Sequence, residues 1–153
     1  MKRWNVYLSG EIHTDWRDTI AAGVRNANLP VTLSAPVTVH ADSDDCGAAI
    51  LGEPESGFWR DQMGARMNAM RTRTLIEDAD IVVVRFGDKY KQWNAAFDAG
   101  LAYGLGKHII TLHDPALTHA LKEVDGAAAA TCETPEQVVD VLTYVITGTL
   151  KRG

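Results

Sequence analysis

Asp98 is the side chain in this sequence best placed to do chemistry. It lies within Gln92-Trp93-Asn94-Ala95-Ala96-Phe97-Asp98-Ala99-Gly100-Leu101-Ala102-Tyr103-Gly104-Leu105-Gly106-Lys107, a helical stretch just downstream of the β-branched run 80–86. A charge on the packing side of a helix is costly unless something pairs with it or uses it. The carboxyl ends of strands that feed helices are where α/β folds hold ligands. A carboxylate in such a dry place has a perturbed pKa, which suits a nucleophile or a general base. The alternative is an acid paired for structural reasons with Arg71, Arg73 or Arg85. Residue types alone weigh the two evenly.

A second group surrounds the first strand's end: Tyr7-Leu8-Ser9-Gly10-Glu11-Ile12-His13. Gly10 permits close backbone approach to a ligand, and the helix start that follows offers free N–H groups to an anion. Taken alone, the segment also reads as a plain strand-to-helix turn. His13 has acid/base capacity. His40, His108, His113 and His119 show no pair at metal-ligand spacing, so surface or capping roles are expected for them, with no metal and no cofactor. Arg71, Arg73, Arg85, Lys89 and Lys91 concentrate positive charge suited to a phosphate or carboxylate. For Lys89 and Lys91 ordinary solvated charge is the better reading. Gly87, just past the strand, joins the expected ligand loop. Tyr90, Trp93, Trp16 and Trp59 suit stacking on a base, or simple packing. Neither a GxGxxG or GxxxxGKS phosphate loop nor a Gly-x-Ser-x-Gly elbow is present.

These groups need a scaffold. Strands are expected over 4–9, 30–34, 80–86, 108–112 and, weakly, 127–131. Helices are expected from a cap at Thr14 or Asp15 to 28, over 58–77 and 92–106, from Pro115 to 123, and from the Thr134 cap to 147. Leu101 and Leu105 are assigned to the sheet-facing stripe of the Asp98 helix, with Gly100 and Gly104 allowing close helix–sheet contact. Residues 36–58, rich in acids, Pro and Gly, read as a long loop with at most one helical turn. Long loops of this kind are often functional. The alternation implies a parallel sheet with right-handed crossovers. The expected fold is therefore α/β, a flavodoxin-like three-layer sandwich with five parallel strands in the order 2-1-3-4-5, formed as one domain over 1–153.

The chain has 153 residues, 46% hydrophobic and 23% charged, with a formal net charge of −5. That balance argues against nucleic acid as a partner, which needs a basic surface. No apolar run reaches a membrane span. The short N-terminal apolar stretch suits a strand better than a signal segment, so a cytoplasmic protein is expected. Cys46 and Cys132 show no redox or metal spacing and are expected as plain thiols.

Two elements together resemble the nucleoside 2-deoxyribosyltransferase-like superfamily. Its Tyr-Leu-Ala-Gly opening is matched by Tyr7-Leu8-Ser9-Gly10, and its Ala-Asp plus hydrophobic strand by Ala79-Asp80-Ile81-Val82-Val83-Val84. Its Gly-Thr-x-x-Glu-x-Gly-x-Ala-x-x-x-Gly-Lys helix is matched by Asn94 through Lys107. The segments Val6 to Arg17 and Gln92 to Gly100 look like the small YtoQ family, which spans essentially this whole length. The resemblance implies a carboxylate that attacks the anomeric carbon of a nucleoside's sugar, with Asp98 at the glutamate's position. Asp is one methylene shorter, about 1.5 Å of reach. Gln92 replaces an acid six residues before, and Asn94-Ala95 replaces Gly-Thr. The implied roles are Asp98 as nucleophile, Tyr7 and Asn94 orienting it, and Glu11 or Asp15 as a second carboxylate. Ser9, Gly10, His13, Trp16, Arg71, Arg85, Gly87 and Trp93 would hold the ligand. The implied activity is an N-glycosidase or deoxyribosyl transfer on a nucleoside or nucleotide, in a homo-dimer or larger homo-oligomer. Two alternatives are binding of a nucleotide-derived ligand without turnover, and a different enzyme using Glu11, His13 and Asp98 as acid/base groups.

Overall fold

The computed structural model describes residues 1–152. Five parallel strands form one sheet: β1 (Trp4–Gly10), β2 (Val31–Ser34), β3 (Ile81–Arg85), β4 (His108–Leu112) and β5 (Ala130–Cys132). Their order is β2-β1-β3-β4-β5, as the sequence implies. β1 and β3 are neighbours, with Ser9 opposite Val84 and Gly10 opposite Arg85.

Strand side chains alternate between two cores, as a sheet covered on both faces requires. Val6, Leu8, Ile81, Val83, Ile110 and Leu112 pack with helix α1 (Trp16–Asn26) and the last helix, α6 (Pro135–Thr147). Tyr7, Val82, Val84 and Ile109 pack on the other face with α3 (Gly57–Asp78) and α4 (Trp93–Gly104). Because β1 alternates, Tyr7 and Ser9 point toward the α3/α4 side, where Asp98 lies.

The segment expected as a long loop instead contains a helix, α2 (His40–Leu51). Its contact with α3 is made by small residues. A Cβ at Gly47 would lie 2.6 Å from Met63 Cβ, and one at Gly64 would lie 3.2 Å from the Asp44 carbonyl oxygen. Its large apolar residues Ile50 and Leu51 are exposed, and its N-cap, Val39, makes no side-chain cap bond. Neither an apolar stripe nor a cap marks this helix in the sequence.

The expected helix from Pro115 to 123 is also revised. Pro115–Leu117 is a single 3-10 turn, and α5 begins only at Lys122, running to Ala127. On α4 the buried residues are Ala95, Ala99 and Ala102, while Leu101 and Leu105 are only partly buried at the edge of that core. Gly100 and Gly104 face outward, with open space for 4 Å around the point where a Cβ would stand. Small alanines, rather than leucines and glycines, bring α4 close to the sheet. No helix among the described residues is long and apolar enough to cross a membrane.

Candidate active site

A cleft of ≈ 1260 Å³ opens beside the carboxyl ends of β1 and β3, between α4 and the α2/α3 pair. Strand order diverges there, and a crevice at that point is where such sheets take ligands. Asp98 and Asn94 reach the cleft from α4, Arg71 and Thr72 from α3, and Gly10, Glu11 and His13 from the loop after β1.

Asp98 is half-buried. Its Oδ2 accepts a hydrogen bond from the Ser9 hydroxyl at 2.6 Å. Burial pushes the Asp98 carboxyl above its ordinary range, and the Ser9 hydrogen bond opposes that rise. Ser9 itself is completely buried at the end of β1. The sequence places it among the residues expected to hold the ligand; the structure sets it outside the cleft wall, behind Asp98.

Tyr7, two residues earlier on the same face of β1, is also fully buried, and its hydroxyl has no hydrogen-bond partner. Thr72 lies close enough to influence its ionisation, yet the pair lacks the geometry of a hydrogen bond. Burial is the main reason its pKa is pushed up to about 12, with Asp98 adding to the rise. The phenol thus stays protonated over all ordinary pH and keeps a free donor beside the carboxylate. Unpartnered buried polar groups of this kind are costly and uncommon.

Glu11 touches the cleft, but its carboxylate faces its own loop. Oε1 accepts from the backbone N–H groups of His13 and Thr14, and Oε2 accepts from the Thr14 hydroxyl at 2.6 Å. Arg85 Nε lies 3.5 Å from Oε2. Burial alone would raise the Glu11 pKa; the Thr14 hydroxyl, the two amides and Arg85 outweigh it and hold the carboxyl below its usual value. These bonds fix the turn into α1, whose N-cap residue Asp15 makes no cap bond of its own. Gly87 is part of the same arrangement. A Cβ there would lie 2.7 Å from Glu11 Cγ, and its N–H donates to Gln92 Oε1 at 2.9 Å.

Gly10 has φ +109°, and a Cβ would lie 2.1 Å from the Arg85 carbonyl oxygen. Its close approach is to β3 backbone, which lets the Glu11 N–H extend the pairing to Arg85. Arg17 has no role assigned by sequence pattern, yet it organises this end of β1. It donates to the carbonyls of Leu8, Gly10 and Glu11, groups that need partners where the ladder stops. Burial draws its pKa down to about 10.

Several sequence-based candidates lie elsewhere. Trp16 is buried in the opposite core, with its indole N–H on the Glu11 carbonyl. Arg85 binds Glu11 rather than lining the cleft, and Gly87 and Trp93 are also outside its wall. Trp93 is exposed, with Lys91 Nζ 5.5 Å from its ring centre. Trp59 meets Phe58 edge to face and lies outside the cleft wall. The structure adds Phe97, Leu101 and His40 to the lining. His13 lies 5.1 Å from Tyr90 and 5.9 Å from His40, ring centre to ring centre. His40 was out of reach of sequence reasoning because the helix that carries it was not legible.

This geometry offers a carboxylate held from behind and a neutral phenol donor beside it. It also offers three arginines of α3, Arg66, Arg71 and Arg73; the only side-chain hydrogen bond of Arg71 among the described residues is to the Ala35 carbonyl. An apolar flank, Phe97 and Leu101, completes the wall.

The chain is 39% identical over 140 residues to "Uncharacterized protein YtoQ" of Bacillus subtilis (strain 168), covering 92% of this chain and 95% of that one. Among solved structures, it resembles a 2-deoxyribosyltransferase from Bacillus psychrosaccharolyticus with a TM-score of 0.53 at 19% identity, covering 89% of this chain and 90% of that one. It also resembles a conserved protein from Enterococcus faecalis V583 with a TM-score of 0.65 at 13% identity, covering 94% and 99%. At these identities the two structures speak for the fold. Residues 7–146 match the family described as nucleoside 2-deoxyribosyltransferase YtoQ, and the chain belongs to that family.

Proposed function

We propose that the protein cleaves the N-glycosidic bond of a nucleoside or nucleotide, with Asp98 as nucleophile. The observation that carries this reading is the Asp98 carboxylate in the wall of the cleft, tied at Oδ2 to Ser9 and unpartnered at Oδ1. An Oδ1 lone pair forms the bond to the anomeric carbon while the carbon–nitrogen bond breaks. Its electron pair leaves with the base, which takes up a proton. Water or a second base then attacks the same carbon and restores the carboxylate. Tyr7 donates toward the carboxylate from behind the cleft wall, and Asn94, one turn before Asp98, positions the ligand. Gly10, His13 and Arg71 meet sugar hydroxyls or a phosphate, while Phe97 and Leu101 flank the base. Glu11 holds the loop through its two amides and Thr14, in preference to acting as a second acid.

The protein's own partner in this reading is a second copy of the chain. The outer face of α4 exposes Trp93 and Phe97 one turn apart and the side-chain-free Gly100 and Gly104 further along. In an antiparallel α4 pair, Trp93 and Phe97 of one copy meet Gly104 and Gly100 of the other. Phe97 also lines the cleft, so the contact would bound the ligand site.

Ligand binding without turnover is the second reading. It is favoured by the altered pattern, in which Asp98, Gln92 and Asn94-Ala95 stand where the superfamily has glutamate, an acid and Gly-Thr. Incubation with a panel of nucleosides and nucleotides, reading free base by chromatography, separates the two. Turnover that disappears in both Asp98→Asn and Asp98→Ala supports the nucleophile. Unchanged rates in both remove Asp98 from the mechanism. Ligand-induced rises in melting temperature without base release transfer the assignment to binding.

A further inference from the structure

We propose that Ser9 is a positioning residue for Asp98, a role that rests on the nucleophile assignment: its hydroxyl pins Oδ2 and leaves Oδ1 as the oxygen presented to the ligand. Four observations converge. The Oγ–Oδ2 distance is 2.6 Å, within the short range of a hydrogen bond to an ionised acceptor. Ser9 is fully buried and lies outside the cleft wall, so no ligand competes for its proton. Among the described residues it is the only hydrogen-bond partner of Asp98. It sits on β1 opposite Val84 in a central strand pair, so its Oγ is fixed by the sheet rather than by a loop.

The consequence is both geometric and electrostatic. A short aspartate on a helix retains two soft side-chain torsions. One hydrogen bond from the sheet selects a single orientation, and it favours the ionised form against the burial that disfavours it. The other ionisable groups around the cleft are Tyr7 on β1, Glu11 and His13 after it, Asp44 and His40 on α2, Asp61, Arg66, Arg71 and Arg73 on α3, and Tyr90 and Lys91 before α4. None of them bonds to Asp98. Removing the Ser9 hydroxyl therefore leaves the carboxyl with burial and no donor.

The test is the titration of the Asp98 carboxyl carbon by NMR in protein labelled at aspartate side chains, assigned by loss of the signal in Asp98→Asn. Ser9→Ala is expected to lower the ionisation constant by about tenfold or more, the worth of a hydrogen bond to a charged oxygen, moving the midpoint upward. Ser9→Cys, a weaker donor of similar size, is expected to fall between the two. A midpoint in Ser9→Ala equal to or below that of the unaltered protein would overturn the proposal. Where base release is measurable, the acid limb of kcat moves up with the same midpoint while KM changes little. A general loss of folding would instead lower both kcat and the amount of active protein without moving the limb. The titration needs no turnover. A protein that releases no base, yet shows the shift, refutes the glycosidase reading and keeps the hydrogen bond's role.

Discussion

Two carboxylates, close in sequence role but opposite in environment, define the chemistry at the residue scale. Asp98 is half-buried with one hydroxyl donor, and burial raises its carboxyl pKa; Glu11 is buried with four partners, which hold its carboxyl pKa below the usual value. A depressed carboxyl contributes stability that is present above its unfolded pKa and is lost as pH falls through the folded one. Glu11→Gln is accordingly expected to cost about 1–3 kcal/mol at neutral pH. That corresponds to roughly 2–4 °C of melting temperature per kcal/mol for a chain of this size. The deficit against the unaltered protein should shrink as pH falls below the normal carboxylate range. Equal melting temperatures at neutral pH, or a gap that widens in acid, would exclude the buried, partnered carboxylate. Two departures from the superfamily pattern, Ser9 for alanine and Asp98 for glutamate, meet in one hydrogen bond. The sequence displays each departure separately, and only the fold shows that they touch.

Legibility differed among the elements for physical reasons. β3 carries the unbroken β-branched run Ile81 to Val84, and α6 carries a capping box at Thr134 with Pro135 at its first position; both announce themselves. α2 does not, because Gly47 and Ala48 make its contact and its apolar residues lie outside. The same physics explains α4. Its buried stripe is three alanines, so the larger residues read as core face the edge or the solvent. Asp98, Asn94 and the loop after β1 were visible because strand ends and helix starts are marked by residue type. The exclusion of Trp16, Arg85 and Trp93 was not, since which face a side chain takes depends on register. The exposed face of α4 carries its own prediction: the protein sediments as a dimer or larger assembly, and Phe97→Glu shifts it to monomer while the folded spectrum persists. A monomer at all attainable concentrations would contradict a second copy on that face.

For the molecule as a whole, one sheet organises everything. Its two cores anchor β1 and β3 side by side, and their ends, with α4, place a carboxylate, a phenol and a cleft together. The fold is shared with a 2-deoxyribosyltransferase, but folds host many reactions, and function belongs to the site. The central claim is that Asp98 takes the sugar covalently. Mass spectrometry of protein quenched during incubation with a nucleoside that yields free base tests it most directly. The expected result is a glycosyl mass added to the peptide containing Asp98, absent in Asp98→Asn. An adduct on another residue, or base release at the normal rate from Asp98→Ala, would contradict it.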